Sequence, residues 1–155
     1  MSAAYRIAPD DLTGGAVKAL LAAHLEEMHA WSPACKVHAL PVERLREKDV
    51  SFYAVWAGDD LAAIGALKAL DAERCEIKSM RASPEFRGKG AGEAILLALL
   101  KEAVSRGYRW VGLETGGTEQ FVPARRLYEK HGFAECPAFD DYVSDEFSLC
   151  MEKWL

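Results

Sequence analysis

The sequence lacks the patterns that mark zinc sites, membrane-spanning helices and secreted proteins. Its four cysteines, Cys35, Cys75, Cys136 and Cys150, form no C-x-x-C pair, so the ligand spacing of a zinc site is absent. No run approaches the roughly 18 apolar residues of a transmembrane helix, and the N-terminus has no apolar signal-peptide core. We therefore expect a cytoplasmic protein with free thiols, no metal site and no membrane partner.

Basic charge is also scarce. The 155 residues include 19 Lys and Arg against 24 Asp and Glu, which gives a formal net charge of −5. A nucleic-acid binder usually carries a basic stripe, so we expect no nucleic-acid partner. The composition, 50% hydrophobic and 28% charged, is typical of a globular protein. The length predicts a single domain over residues 1–155.

Turn residues and hydrophobic periodicity predict seven strands and four helices in the order βααβββαβαββ. The predicted strands cover 4–9, 51–58, 61–70, 75–83, 108–115, 133–139 and 146–155. The predicted helices lie within 11–31, 42–48, the segment from a glycine-rich loop to about Arg106, and 122–131. Hairpin strands followed by alternating strands and helices indicate an α/β (α+β) fold, with a mixed sheet and helices on both faces.

Two helix ends and one buried helix face are predicted in detail. Gly107 and Gly132 follow the last helical residues, where a C-terminal cap glycine belongs, and Phe133 is placed to close the second cap. The helix after the glycine-rich loop should bury Ile95, Leu96, Leu99, Leu100 and Val104.

The glycine-rich loop, in the segment "EFRGKGAGEAILLALLKEA" (85–103), is the strongest functional signal. Gly88, Gly90 and Gly92 run into a helix whose free N–H groups and dipole favour an anion. A Walker A loop is excluded because Lys89 is followed by glycine and alanine. The G-x-G-x-G spacing also differs from the G-x-G-x-x-G of a dinucleotide-binding fold. Taken alone, the loop leaves open a tight turn without a ligand.

Two segments together resemble the GNAT superfamily of acetyl-CoA-dependent N-acetyltransferases. Arg87, Gly90 and Gly92 match its Q/R-x-x-G-x-G/A signature, and the strand "EIKSMRASPE" precedes them. The block "ARRLYEKHGF" (124–133) resembles the superfamily's A-x-x-L-Y-x-x-x-G-F segment. The resemblance covers residues 51–155, whereas residues 1–50 match only in their strand–helix–helix layout. The blocks "IKSMR" and "LETG" are similar to those of a small bacterial branch.

The resemblance implies a GNAT-type fold. Such a fold has a mixed, mostly antiparallel sheet of six to seven strands, about four helices on both faces, and splayed strands at the cofactor site. The cosubstrate would be acetyl-CoA, with no metal. The loop would hold the coenzyme A pyrophosphate, and the strand before it would pair with the pantetheine arm. The implied cofactor-binding residues are Met80, Arg81, Ala82, Arg87, Gly88, Lys89, Gly90, Ala91 and Gly92.

Transfer to an amine needs a base, because an alkyl ammonium with a pKa of about 10.4 is almost wholly protonated near neutral pH. Our first choice for the base is Glu76, at the start of the strand leading to the loop, where histone-acetyltransferase members of the superfamily carry a glutamate. The alternative for Glu76 is a structural pair with Lys78 or Arg74. Glu114 is the second candidate base, and its structural alternative is a hydrogen-bonded carboxylate that closes the loop at the end of its strand.

The resemblance also implies a role for Tyr128, which belongs to the L-Y-x-x-x-G-F block. We expect its hydroxyl to stabilise the leaving thiolate, with complete proton transfer optional, and the alternative is a core tyrosine. The oxyanion donor would be the backbone N–H near Met80. His24 lies on an apolar helix face and is expected to be a packed core histidine.

The acceptor should be a primary amine of a small molecule or peptide. It should bind between the segment "HLEEMHAWSPACKVHAL" (24–40) and the loop around "FDDYVSDEF" (139–147). Two other functions remain open: a coenzyme A-binding regulatory module without turnover, and an acyltransferase that uses a longer acyl-CoA. A homodimer is left open beside a monomer.

Overall fold

The computed structural model describes residues 4–33, 40–140 and 142–155. Cys35, and with it residues 34–39 of the segment predicted to contact the acceptor, lie outside the described residues. Within the described ranges the elements follow the predicted order. They are β1 (Arg6–Pro9), α1 (Gly15–Trp31), α2 (Val42–Leu45), β2 (Val50–Ala57), β3 (Asp60–Ala69), β4 (Arg74–Ala82), α3 (Ala91–Ser105), β5 (Trp110–Thr115), α4 (Val122–Lys130), β6 (Ala134–Cys136) and β7 (Leu149–Trp154).

These strands form one sheet in the order β1-β2-β3-β4-β5-β7-β6. All neighbouring pairs are antiparallel except β4 and β5, which are parallel. On one face, α1 and α2 pack over a core that includes Leu21, Leu45 and Ile64. On the other face, α3 and α4 pack over a core that includes Leu99 and Leu113. The predicted fold class is confirmed, and no helix in these ranges is long and apolar enough to cross a membrane.

Glycine caps end both α3 and α4, as the sequence predicts. Gly107 has φ +84 and Gly132 has φ +92. In each cap the N–H after the glycine reaches back to the last turn: Phe133 donates to the carbonyl of Tyr128 over 3.1 Å, and Tyr108 donates in the same way in α3. Phe133 is buried beside α4, so the cap also fixes the end of the helix that carries Tyr128.

The predicted buried face of α3 is wrong at one residue. Ile95, Leu96, Leu99 and Leu100 are buried, but Val104 is 60% exposed. Ala103 takes the buried position instead, with no exposed surface. It lies four residues after Leu99, so it continues the same helical stripe, whereas Val104 is rotated about 100° further around the axis.

A β-bulge in β4 positions the site. Two β4 residues, Ser79 and Met80, face the single β3 residue Gly65, because the register shifts between Ile64 and Ala66. Ser79 accordingly has φ +56, a left-handed conformation that is strained for a side chain. The bulge bends β4 away from its parallel neighbour, so the two strands separate in the second half of β4.

Candidate active site

A cavity of about 370 Å³ lies where β4 and β5 separate. The two strands pair only from Arg74 to Glu76 on β4, and beyond that point they line the cavity instead. Their unpaired backbone N–H and C=O groups can therefore accept an inserted chain as a further strand. Met80, Arg81 and Ala82, expected to pair with a pantetheine arm, all line this cavity.

The bulge also decides which way the β4 side chains point. Met80 and Ala82 pack into the core under α3. The Arg81 side chain lies on the opposite face and pairs with Glu27 of α1. The same strand segment can therefore present its backbone to a cofactor and a guanidinium to the α1 side of the cavity.

The glycine-rich loop leads directly into α3. Gly88 has φ +73 and Gly90 has φ +83, and a Cβ at Gly90 would meet no atom of the described residues within 4 Å apart from its chain neighbours. Backbone conformation, rather than lack of space, therefore selects glycine at Gly90. The N–H of Ala94 donates to the Gly90 carbonyl, so the N–H groups of the first helical residues, Ala91 and Gly92, precede the first intrahelical bond.

Two other N–H groups of this loop have carbonyl partners. Arg87 donates to Pro84 over 3.4 Å, and Lys89 donates to Phe86 over 3.2 Å. An anion would therefore rely on the N–H groups at the start of α3 rather than on every N–H from Arg87 onward. The Lys89 ammonium lies 5.8 Å from the centre of the Phe86 ring, close enough to the loop to add positive charge.

Glu27 of α1 links the loop to β4. Its carboxylate contacts Arg81 Nη2 at 2.5 Å and Arg87 Nη2 at 3.3 Å. The bond from Arg81, and then the charges of both arginines, hold the pKa of Glu27 below its ordinary value. Arg87 lines the cavity with a half-exposed side chain, whereas that of Arg81 is buried.

Tyr128 lines the cavity from α4 and is 7% exposed. Pro123 opens the helix in its first turn, and the Phe133 ring packs edge-to-face on Tyr128 at 5.7 Å. Burial raises the pKa of Tyr128 to about 12. The phenol is therefore neutral near pH 7 and can donate a hydrogen bond into the cavity.

Glu114, near the end of β5, also lines the cavity. Ser148, in the segment before β7, donates its hydroxyl to Glu114 Oε2 over 2.6 Å. Burial raises the pKa of Glu114 to about 7, while the Ser148 hydroxyl and the Lys78 charge oppose that shift. About half of the carboxyl is therefore ionised near pH 7, which suits a group that takes up and releases a proton.

This pKa predicts an unusual pH dependence of stability. Glu114 binds its proton more tightly in the folded state, with a pKa of about 7, than at its ordinary value of 4.5. As the pH rises from about 4.5 to about 7, the folded state therefore loses stability through this group, in total about 3 kcal/mol.

The variant Glu114→Gln removes this titration and should cancel that loss of stability. Urea unfolding at about pH 4.5 and about pH 8 should show the variant gaining stability over the wild type as the pH rises. Glu135→Gln, at an exposed position of β6, is the control. An equal pH dependence in Glu114→Gln and the wild type would contradict the buried environment of Glu114.

Glu76 is placed differently from the other candidate base. It is 1% exposed, lies where β4 still pairs with β5, and is not one of the described residues that line the cavity. Its Oε2 accepts hydrogen bonds from the Tyr142 hydroxyl at 2.5 Å and from Lys78 Nζ at 3.3 Å. Burial and the charge of Glu76 raise the pKa of Tyr142. Of the two structural partners considered for Glu76, Lys78 contacts it, whereas Arg74 binds Asp71 at 2.7 Å.

The cysteines with described structure are not activated nucleophiles. Cys75, Cys136 and Cys150 are free and buried. Burial raises the pKa of Cys75 to about 12 and that of Cys136 to about 11, so both remain thiols at neutral pH. These three residues therefore offer no thiolate for a covalent acyl-enzyme.

Two partners of site residues, Glu27 and Ser148, carry no signal in the sequence. Glu27 is one of several acidic residues on α1, and Ser148 lies 34 positions after Glu114. His24 lies at the cavity rather than only in the core, and burial lowers its pKa to about 4. Three aromatic side chains line the cavity: Trp31 and Phe147 belong to the two segments predicted to contact the acceptor, whereas Phe121 lies outside both.

The separated parallel strands beside a glycine-rich helix start are compatible with an acyl-CoA-dependent transferase, and sequence comparison shows the family. The model of the Acetyltransferase (GNAT) family matches residues 17–133. This chain belongs to the GNAT family and is an acetyltransferase.

Two bacterial relatives resemble nearly the whole chain. The uncharacterized N-acetyltransferase YsnE of Bacillus subtilis is 46% identical over 94% of this chain and 97% of its own length. The uncharacterized N-acetyltransferase YedL of Escherichia coli is 44% identical over 93% of this chain and 91% of its own length.

Solved structures show the same fold. The putative acyl-CoA N-acyltransferase of Klebsiella pneumoniae has a TM-score of 0.76 and 29% identity, and 97% of each chain is covered. A GNAT family acetyltransferase of Elizabethkingia anophelis, with acetyl-CoA bound, has a TM-score of 0.72 and 16% identity over 97% of this chain and 98% of its own. The second likeness supports the fold alone at that level of identity.

Proposed function

We propose that this acetyltransferase moves the acetyl group of acetyl-CoA to a primary amine of a small molecule or peptide, by direct attack in a ternary complex. The observation that supports the proposal is that Glu114 and Tyr128 line the same cavity. Glu114, with a pKa of about 7, can take the amine proton, and Tyr128, with a pKa of about 12, can donate to the leaving sulfur.

The residues present fit acetyl-CoA. The unbonded N–H groups at the start of α3 suit the pyrophosphate, with Arg87 and Lys89 adding positive charge. The unpaired backbone of β4 around Met80 suits the amides of the pantetheine arm. The bound cosubstrate supplies an activated thioester at the point where the two strands separate.

We assign the base role to Glu114 rather than to Glu76. Only Glu114 lines the cavity, and its raised pKa is near the pH at which it must act. Glu76 is buried, is not among the described residues that line the cavity, and accepts hydrogen bonds from Tyr142 and Lys78. We therefore propose that Glu76 holds Lys78 and Tyr142 in place, and that proton transfer from the amine runs to Glu114 directly or through water.

In the chemical step the amine nitrogen bonds to the acetyl carbon and the carbon–sulfur bond breaks. One ammonium proton goes to Glu114 before the attack, and the second proton that the nitrogen loses as the amide forms passes to water. The sulfur leaves as a thiolate that Tyr128 stabilises. Full proton transfer from Tyr128, at a pKa of about 12, to a thiolate of ordinary pKa about 8.5 is uphill by about 5 kcal/mol. We therefore propose that Tyr128 donates a strengthening hydrogen bond and that the thiolate takes its proton from solvent.

Tyr128→Phe should lower kcat by roughly tenfold to a hundredfold, the value of one hydrogen bond to a developing charge. The dissociation constant of coenzyme A should change little, because the bond forms mainly in the transition state. Single-turnover rates and calorimetry of both proteins test this, with Tyr108→Phe as the control outside the cavity. Equal single-turnover rates in the wild type and Tyr128→Phe would remove Tyr128 from the mechanism.

The proposed function is tested by thiol release from acetyl-CoA against a panel of amino acids, polyamines, aminoglycosides and lysine peptides. At least one amine should raise thiol release well above the rate without acceptor. A parallel series with longer acyl-CoA thioesters tests the alternative acyl donor. Coenzyme A binding with no turnover on any amine would favour a regulatory module instead.

A further inference from the structure

Four of the apolar side chains that line the cavity, three of them aromatic, form what we call the apolar wall. Met28 and Trp31 come from α1, and Phe121 and Phe147 come from segments that follow β5 and precede β7. The Trp31 and Phe121 rings pack edge-to-face with their centroids 5.5 Å apart. A pantetheine arm between the separated strands β4 and β5 would contact strand backbone. The side chains of this wall would therefore be available to contact the acceptor. Its side chains favour an apolar group there.

Beside this wall the cavity has polar groups without a partner. His24 Nδ1, Ser79 Oγ and Arg81 Nε are buried and have no hydrogen-bond partner in the part of the chain that the structure describes. All three residues line the cavity. Buried polar groups are nearly always bonded, so a ligand atom is the natural partner here. The Arg81 guanidinium contacts Glu27 through Nη2, and its Nε–H is still available to donate to an acceptor such as a carboxylate oxygen.

The charges around the cavity also favour an acceptor that carries a carboxylate rather than a second ammonium. Among the described residues that line it, Lys78, Arg81 and Arg87 are cationic and Glu114 is the only carboxylate. Glu114 is needed for the proton of the reacting amine. Lys78 is paired with Glu76 and both arginines with Glu27, so a second ammonium on the acceptor would find no unpaired carboxylate among the described lining residues, which disfavours polyamines and aminoglycosides.

We propose that the acceptor is an amine that also carries a carboxylate and an apolar side chain, such as an apolar α-amino acid. Arg81, with Ser79 and His24 beside it, holds the carboxylate, and the wall of Met28, Trp31, Phe121 and Phe147 holds the side chain. The amine then reaches Glu114, the amide bond forms, and coenzyme A leaves as the thiol. This inference rests on the function proposed above and names the substrate class of the same site.

The test is equilibrium binding to protein saturated with coenzyme A, which does not depend on turnover. Calorimetry compares L-phenylalanine with phenethylamine, which has the same ring and amine but no carboxylate, and with spermidine, which is polycationic. L-Phenylalanine should bind at least roughly tenfold more tightly than either, the value of one charged hydrogen bond. Thiol release from acetyl-CoA should give the same order in kcat/KM.

A variant then tests whether Arg81 binds the carboxylate of the acceptor. Arg81→Met is combined with Glu27→Gln so that no carboxylate loses its arginine partner. The double variant should lose the preference for L-phenylalanine over phenethylamine, whereas Arg109→Met, on the exposed surface, should retain it. Equal or weaker binding of L-phenylalanine than of phenethylamine to the wild type would overturn the inference. If phenethylamine or spermidine is acetylated faster, the substrate class is wrong but the acetyltransferase function stands.

Discussion

Gly90→Val is expected to abolish the stabilisation of the fold by coenzyme A. At a hundredfold excess over its dissociation constant, a ligand of the native state stabilises it by about 2.7 kcal/mol. Gly90 has φ +83 at the residue before α3, and a β-branched residue resists that conformation. A loop that relaxes to relieve this strain would turn the N–H groups at the start of α3 away from a pyrophosphate.

Gly58→Val is the matched control for this experiment. Gly58 has φ +62 and open space around its Cβ position, as Gly90 does, but it lies between β2 and β3. Both variants should lose similar stability without ligand, and only Gly58→Val should still be stabilised by coenzyme A. Chemical denaturation with and without coenzyme A measures both quantities. Full ligand stabilisation in Gly90→Val would show that the loop does not hold the cofactor.

Glu114→Gln is expected to lower kcat/KM by roughly 100-fold to 10,000-fold near neutral pH, the usual contribution of a positioned base. The wild-type rate should rise with pH through the pKa of Glu114, at about 7, because only the carboxylate can take a proton. That inflection should be absent in the variant. At high pH the two rates should converge, since more of the amine is then already neutral.

Glu76→Gln separates the two candidate bases. A role for Glu76 in holding Lys78 and Tyr142 predicts a lower free energy of unfolding and a pH–rate profile of the same shape as the wild type. The assignment would be reversed if kcat/KM of Glu76→Gln converged with the wild-type value at high pH while kcat/KM of Glu114→Gln stayed lower by a constant factor at every pH. The base role would then return to Glu76.

Local signals account for the parts of the fold that the sequence predicts. Gly107 and Gly132 end helices through their own backbone conformation, and the seven strands are bounded by turn residues close to them in sequence. The glycine-rich loop is contiguous, so its place at the start of α3 can be read directly. The prediction for Val104 was wrong because Val104 follows Leu100 at helical spacing, as a buried residue would. At that end of the helix the buried stripe has room for one residue, and Ala103 occupies the position.

The chemistry of the site depends on contacts between distant segments, and no local pattern encodes these. Glu114 and Glu76 look equivalent as acidic residues on neighbouring strands. The difference between them comes from the β4–β5 pairing, which extends to Glu76 and leaves it outside the described cavity lining, and from Ser148, which bonds Glu114. The pairing of Glu27 with both arginines likewise joins α1 to residues 54 and 60 positions away.

The most direct measurement follows acetyl-CoA labelled with ¹³C at the acetyl carbonyl by NMR, in the presence of the protein and an amine that the thiol-release panel identifies. The label should move from the thioester to an amide of the acceptor, with one free thiol formed for each amide, and Glu114→Gln should slow both signals equally. Label that stays in the thioester, or that collects as acetate while the amine remains unmodified, would contradict transfer of the acetyl group to an amine.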